Sequence, residues 1–353
     1  MPERIEIVGG GLAGLALGLG LRQRGVPVRV HEAGAYPRVR VCGEFLSGAG
    51  RGVLARLGLA PELARAGAIE ARHARFALGA RTSPRLALPR PALCLPRPEL
   101  EAVLARAFEG AGGELVSAHA WHGDAHAPGL VLANGRRPRA ADPGASPPAA
   151  NAWRWYGLRA HVRGLELEAD LELHFGRDEY VGLSRQSGGR VNVCGLYRRR
   201  DGLPDLRSAW RELMAGAPDA PLAQRLRRAD FDESSFAAVA GLELAPRRAL
   251  HGSSFAIGDA LTLTPPLTGN GMSMALESAE YALGPLEAWS RGALAWGEAR
   301  AAHARVCDRE FSQRLRWASF LQRALFHAPT RALVFGAAAR WPGLWQLLHA
   351  RTR

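Results

Sequence analysis

The sequence predicts an α/β protein: a Rossmann-like parallel-sheet domain, an inserted antiparallel-sheet α+β domain and a helical C-terminal region. Three observations carry that expectation. An apolar strand at residues 4–8 runs through a glycine turn into a helix and a second strand. Alternating segments between residues 156 and 197 have the period of an antiparallel sheet. Beyond Leu294 only helical patterns remain.

Taken in order, residues 12–24 form the first helix, which Gly25 ends and Pro27 cannot continue. The second strand covers residues 28–32, and residues 50–66 are helix-rich. Short strands follow at 72–78 and 85–88. A helix over 98–110 is started by Pro98 and stopped by the glycines at 110, 112 and 113. Residues 114–117 and 130–133 are strands, and residues 141–150 have the composition of a loop. The antiparallel set comprises residues 156–162, 171–175, 180–184 and 190–197, followed by helices at 205–215 and 221–228. A short strand at 254–257 precedes a helix over 271–283, which Gly284 and Pro285 should end or kink. The domain division that follows assigns 1–70, 93–150 and 245–290 to a nucleotide-binding domain, 71–92 and 151–244 to a substrate domain, and 291–353 to the helical region.

Composition narrows the chemistry. A chain of 353 residues suits roughly two domains at ~150 residues each. All 46 basic residues are arginine, so Schiff-base, pyridoxal-phosphate and P-loop-lysine chemistry is excluded. Cys42, Cys94, Cys194 and Cys307 are scattered with no CxxC pair, which disfavours a metal site or disulfide scaffold and suits a reduced, cytoplasmic setting. No signal-peptide pattern precedes the first strand, and the uncharged run at 7–21 is shorter than the ~20 residues of a membrane span. The net charge is +13, and residues 291–353 contribute 11 arginines against Glu298, Asp308 and Glu310. Aromatic residues interleave those arginines, among them Trp341 and Trp345 four apart. That combination suits peripheral contact with an anionic membrane, although a solvated face over core helices is the commoner reading of such a charge run. No nucleic-acid recognition module accompanies the charge.

Four motifs carry the functional reading. The first, Gly9-Gly10-Gly11-Leu12-Ala13-Gly14, lies between an apolar strand and a helix. Gly9 permits the turn, Gly11 lets a pyrophosphate approach the backbone, and Gly14 lets helix pack on strand. The helix N-terminus faces the phosphates, and Glu32, ending the second strand, is placed to accept from ribose hydroxyls. The second is Gly258-Asp259-Ala260 followed by the run Pro266 to Met272, whose N–H groups at a helix start suit the N1–C2=O edge of a reduced flavin. The third is Arg40-Val41-Cys42-Gly43-Glu44. The fourth is Leu95-Pro96-Arg97-Pro98, with Arg97 before a helix where its guanidinium can reach a phosphate or flavin.

The order of these motifs resembles the FAD-dependent oxidoreductases of the p-hydroxybenzoate hydroxylase fold, and most of all their geranylgeranyl reductase-like branch; the likeness runs from Ile5 to Leu283. The resemblance implies that Gly9, Gly11, Ala13 and Gly14 meet the pyrophosphate and Glu32 the adenosine ribose. It further implies that Arg40 and Arg97 contact FAD, that Cys42 and Gly43 border the flavin, and that Asp259 holds the ribityl or pyrophosphate region. Gly269, Gly271 and Met272 would line the isoalloxazine, and Trp121 would make a backbone contact to the adenine. Cys42 and Glu44 are the candidate proton donors.

The activity implied is FAD-dependent chemistry on a bulky apolar substrate, isoprenoid or polyketide-like, by hydride delivery to a carbon–carbon double bond. NAD(P)H or another reductant would supply the electrons. An NAD(P)H- and O2-dependent hydroxylase or epoxidase is the alternative, and a non-catalytic prenyl- or lipid-binding protein of the same fold stands in another class. The chain departs from the aromatic hydroxylases at Leu261, where they carry His, and at Asn134, where they carry Asp. Flavin-dependent halogenases of this fold need a catalytic lysine, which this chain lacks. No second GxGxxG follows a strand, so no separate nicotinamide domain is expected.

Overall fold

A computed structural model of the chain describes residues 1–136, 152–200, 205–242 and 244–352; the loop expected at 141–150 lies outside them. In chain order the strands are β1 (Ile5–Val8), β2 (Val28–His31), β3 (Phe45–Leu46), β4 (Ile69–Leu78), β5 (Arg81–Thr82), β6 (Leu86–Cys94), β7 (Glu114–Val116), β8 (Leu130–Leu132), β9 (Arg154–Arg163), β10 (Leu171–Phe175), β11 (Glu179–Arg185), β12 (Val191–Arg199), β13 (Asp230–Ala240) and β14 (Phe255–Ala256). The helices are α1 (Leu12–Arg22), α2 (Gly48–Arg56), α3 (Ala60–Arg65), α4 (Arg97–Gly110), α5 (Leu206–Ala215), α6 (Pro221–Leu226), α7 (Gly271–Ser290), α8 (Trp296–Phe326), α9 (Ala328–Arg340) and α10 (Pro342–Arg351).

Among the described residues two sheets form. The first is all parallel, in the order β14-β8-β1-β2-β7. The chain leaves β1 toward β2 and β7 on one side and later places β8 and β14 on the other. The carboxyl end of β1 is therefore the topological switch point, where open α/β sheets take their ligands. Helix α1 is buried at every position from Leu12 to Leu21, with no exposed stripe. Its small residues allow this: Gly18 packs against Phe108 of α4 and Gly20 against Leu283 of α7. The second sheet runs β13-β9-β12-β11-β10-β4-β6-β3, with β5 on β4. It is antiparallel except where β10 pairs parallel with β4.

Four elements differ from the sequence expectation. Strand β6 continues through Pro89 and Pro91 to Cys94, because its register with β4 slips between Ala71 and His73, where missing amide donors are tolerated. Strand β13 is absent from the sequence reading: its start is rich in Asp, Glu and Ser, and it lies at the sheet edge with an irregularity between Asp232 and Ala237. Helix α7 runs through Pro285 to Ser290 instead of ending near Leu283. Burial of Leu286 and Trp289 in the core outweighs the helix penalty of proline, about 3 kcal/mol. Finally, β3 lies within the segment assigned to the nucleotide domain yet pairs with β6 of the second sheet. The Cys42–Leu46 stretch thus ties the two sheets together.

Candidate functional site

A large cavity, of about 430 Å³, lies between the carboxyl end of the first sheet and the face of the second. Gly11, Leu12 and Ala13 at the start of α1 line it, and so do Gly269, Gly271 and Met272 at the start of α7. Neither N-cap, Gly11 or Asn270, makes a side-chain capping hydrogen bond. Two helix N-termini thus direct backbone N–H groups and positive dipole ends toward one space, an arrangement that suits a group anionic at two points.

The glycines are placed as the motif requires. Gly9 has φ +111°, and a Cβ there would meet the Ala133 carbonyl oxygen at 2.3 Å. A Cβ on Gly14 would lie 2.0 Å from the Gly9 carbonyl oxygen, so helix and strand touch backbone to backbone. At Gly11 the nearest neighbour of an added Cβ is an Arg38 nitrogen 3.9 Å away, leaving open space where a pyrophosphate would approach. Glu32 is buried beside this turn and accepts from the Gly10 and Gly34 amides, each at 2.8 Å. Arg38 approaches the same carboxylate at 2.5 Å, pairs with Glu101 at 2.8 Å and donates to the Gly10 carbonyl at 2.8 Å. A carboxylate has about four acceptor sites, so Glu32 keeps capacity for a ribose hydroxyl.

Arg38, rather than the expected Arg40, is the arginine at the glycine turn. Arg40 is exposed and does not line the cavity. The difference arises because Arg38, close after Glu32, meets two buried carboxylates, whereas Arg40 faces solvent. Trp121 also lies off the cavity, packed with Val8, Leu130, Leu132 and Ala260 on the flank of the first sheet. Arg97, Asp259, Cys42 and Gly43 all line the cavity. The Arg97 Nε bonds Glu101 at 3.0 Å. Burial pushes the Asp259 carboxyl above its ordinary range, against the pull of Arg97, Arg136 and Arg247.

The Cys42 thiol lies 3.4 Å from the Met272 sulfur, joining the third motif to the second. Burial raises its pKa, with Arg97 opposing the rise and Glu44 adding to it, so at neutral pH it carries its proton. Cys194, which the sequence does not single out, also lines the cavity, and burial together with Cys42 raises its thiol as well. Three successive carbonyls are fixed from the second sheet. Asn192 donates to Cys42 at 3.0 Å, Ser184 to Gly43 at 2.8 Å and Gln186 to Glu44 at 3.2 Å.

Glu44 itself does not reach the cavity, which corrects its candidacy as a proton donor. It is fully buried, and its carboxylate accepts from the Arg159 guanidinium and lies 2.6 Å from His161 Nε2. It also accepts from the Arg97 amide at 3.2 Å. Its backbone, at φ +53°, sends the side chain away from the cavity and into the second sheet. Arg159 and His161 alternate on β9 toward the same face, a spacing visible in the sequence; nothing in the sequence pairs them with Glu44.

The cavity continues away from Cys42 between apolar walls that include Phe76, Leu171, Leu196 and Phe335. Trp345, Leu348, His349 and Thr352 of the C-terminal region close it, and the Asn270 amide donates to the Thr352 carbonyl. Trp345 packs edge-on against Phe76, with ring centroids 4.7 Å apart. Trp341, by contrast, is 66% exposed and extended before α10, so the two tryptophans do not share the helix face expected of them.

Comparison with known proteins agrees with this geometry. Residues 4–137 match the family described as FAD binding domain. No curated protein matches. The flavin-dependent brominase Bmp2 superposes with a TM-score of 0.73 at 17% identity, over 99% of this chain and 93% of that one. A flavoprotein/dehydrogenase from Cytophaga hutchinsonii gives 0.72 at 15%, over 94% and 88%. A protein described as a probable FAD-dependent monooxygenase from Pseudomonas aeruginosa gives 0.70 at 20%, over 95% and 100%. Such identities establish the fold, which is that of the p-hydroxybenzoate hydroxylase-like flavoproteins; the geranylgeranyl reductase branch is not among these neighbours. Residues 4–137 are thus similar to an FAD-binding domain, and in a chain with the fold of flavoproteins two uncapped helix ends face one cavity.

Proposed function

We propose that the chain reduces a carbon–carbon double bond in a bulky apolar small molecule, isoprenoid or polyketide-like. The observation that carries this reading is the cavity itself: the Cys42 thiol on its wall, followed by a largely apolar lining that also includes Arg75, Glu172 and His349 beyond the flavin end. FAD, when bound and reduced by an external donor, would supply a two-electron hydride donor. The N-terminus of α1 would hold its pyrophosphate, Glu32 the adenosine ribose, and the N-terminus of α7 the flavin edge that becomes anionic on reduction. Arg97 and Asp259 would orient it from either side. Cys42 would then deliver the proton to the substrate carbon, while the apolar walls exclude water. An external reductant of the NAD(P)H class is required.

A second reading, O2-dependent hydroxylation or epoxidation, is favoured by the fold shared with a described FAD-dependent monooxygenase. One experiment separates the two. The FAD-loaded protein is reduced without oxygen and mixed with a polyprenyl alkene. Anaerobic reoxidation of the flavin with formation of the saturated product is expected. Cys42→Ser should slow that reoxidation at least roughly tenfold, within the range ascribed to general acids, without changing FAD affinity. Turnover only with oxygen, with stoichiometric O2 consumption, would instead establish the monooxygenase reading.

A further inference from the structure

Helices α8, α9 and α10 are apolar on two sides at once. On α8 Phe320 is 58% exposed, and the next residue, Leu321, lines the cavity. On α9 Leu333 is 73% exposed and Val334 lines the cavity. On α10 Leu347 is 50% exposed and Leu348 lines the cavity. Each of the three helices is therefore a wall one helix thick between solvent and the substrate space. Each exposed apolar residue also shares its helix face with an exposed arginine, three, four or seven residues away. Phe320 lies with Arg316 and Arg323, Leu333 with Arg340, and Leu347 with Arg351. None of these four arginines has an acidic partner among the described residues, and no acidic residue follows Glu310 in the chain.

We infer that this face docks on an anionic lipid surface, with Phe320, Leu333 and Leu347 entering the acyl boundary and the arginines meeting headgroup phosphates. An apolar side chain flanked by long cationic ones is the pattern by which peripheral helices sit in an interface: the stem packs on apolar surface while the charge stays in the polar layer. The charge complementarity selects anionic lipid over a second copy of this chain, which would bring the same unpaired arginines face to face. Docked in this way, the three-helix wall places the cavity against the bilayer, where an apolar substrate would enter. That entry role rests on the apolar-substrate reading above; the docking does not.

The test is co-sedimentation of the full-length FAD-loaded protein with vesicles of phosphatidylcholine alone or mixed with phosphatidylglycerol. Binding should require phosphatidylglycerol and fall as salt rises. Leu333→Glu with Leu347→Glu, and separately Arg340→Gln with Arg351→Gln, should each weaken it roughly tenfold. The arginine pair is a surface change that leaves packing intact, and an unaltered melting curve verifies this. Equal binding to both vesicles, no binding, or binding unaffected by either pair would overturn the proposal. So would a dimer in sedimentation velocity that Leu333→Glu with Leu347→Glu dissociates, which would give the face to a second copy. Loss of the flavin reading would register in the visible spectrum, independently of the vesicles.

Discussion

Glu44 is one of two non-glycine residues with positive φ among the described residues, the other being Ala118. The conformation persists because the polar groups of Glu44 are engaged: its amide with the Cys42 sulfur at 3.4 Å, its carbonyl with Gln186, and its carboxylate with Arg159 and His161. Removing one partner of a buried ion pair leaves the other charge uncompensated, at a cost of roughly 3–5 kcal/mol. Glu44→Ala should therefore lower denaturant stability by about that amount, and Glu44→Leu combined with Arg159→Met should recover much of it. A double variant no more stable than the single would show that the pair is not the source. Glu32→Ala acts on the other end of the site. It removes an acceptor for two backbone amides and for the ribose, so FAD should bind roughly tenfold more weakly, as loss of a charge-assisted hydrogen bond implies. Titration of the apoprotein with FAD measures it, and unchanged affinity would reject the ribose assignment. The placement of Cys42, Arg97 and Asp259 on the cavity, and of Glu32 beside the glycine turn, follows local motifs readable in the sequence, because each has a strand or helix beside it. The inward turn of Glu44 was not readable in this way, since it depends on β9, more than a hundred positions away.

At the scale of elements, α7 and α8 support the nucleotide domain from behind. His303 on α8 is buried, stacks on Phe255 with ring centroids 4.7 Å apart, and places Nε2 3.1 Å from the Ser278 carbonyl. Ser278 in turn receives the Gly258 amide at 2.9 Å, next to Asp259. Burial lowers the pKa of His303 to about 4, with the Ser278 contact opposing the shift. The unfolded chain takes up a proton at about 6.5 that the folded chain refuses until about 4. Stability is thus fully present above pH 6.5 and falls as pH drops toward 4, by on the order of 3 kcal/mol from this group. Thermal melts across that window should show the loss, and His303→Gln should flatten it; an unchanged slope would reject His303 as its source. The helix itself was readable from the helical pattern beyond Leu294. The burial of His303 was not, because it is set by Phe255 from the first sheet.

At the scale of the whole molecule, the βαβ opening, the middle sheet and the helical end were all legible, since each rests on periodicity within one stretch of chain. What escaped was the joining of stretches: β3 crossing to the second sheet, β10 lying parallel to β4, and the C-terminal residues closing the cavity. Local patterns do not encode such pairings, which follow from shape and burial across long separations. The position of β14 has a consequence for how the protein is made. The walls of the cavity come from segments spread between Gly11 and Thr352, and β8 gains its outer neighbour only when Phe255 is available. During synthesis the amino-terminal half must therefore wait, with an open sheet edge and an uncovered apolar face, until most of the chain has left the ribosome. Long-range closure of this kind is slow, and a cofactor that binds the closed form would hold the chain there by mass action once its walls have met.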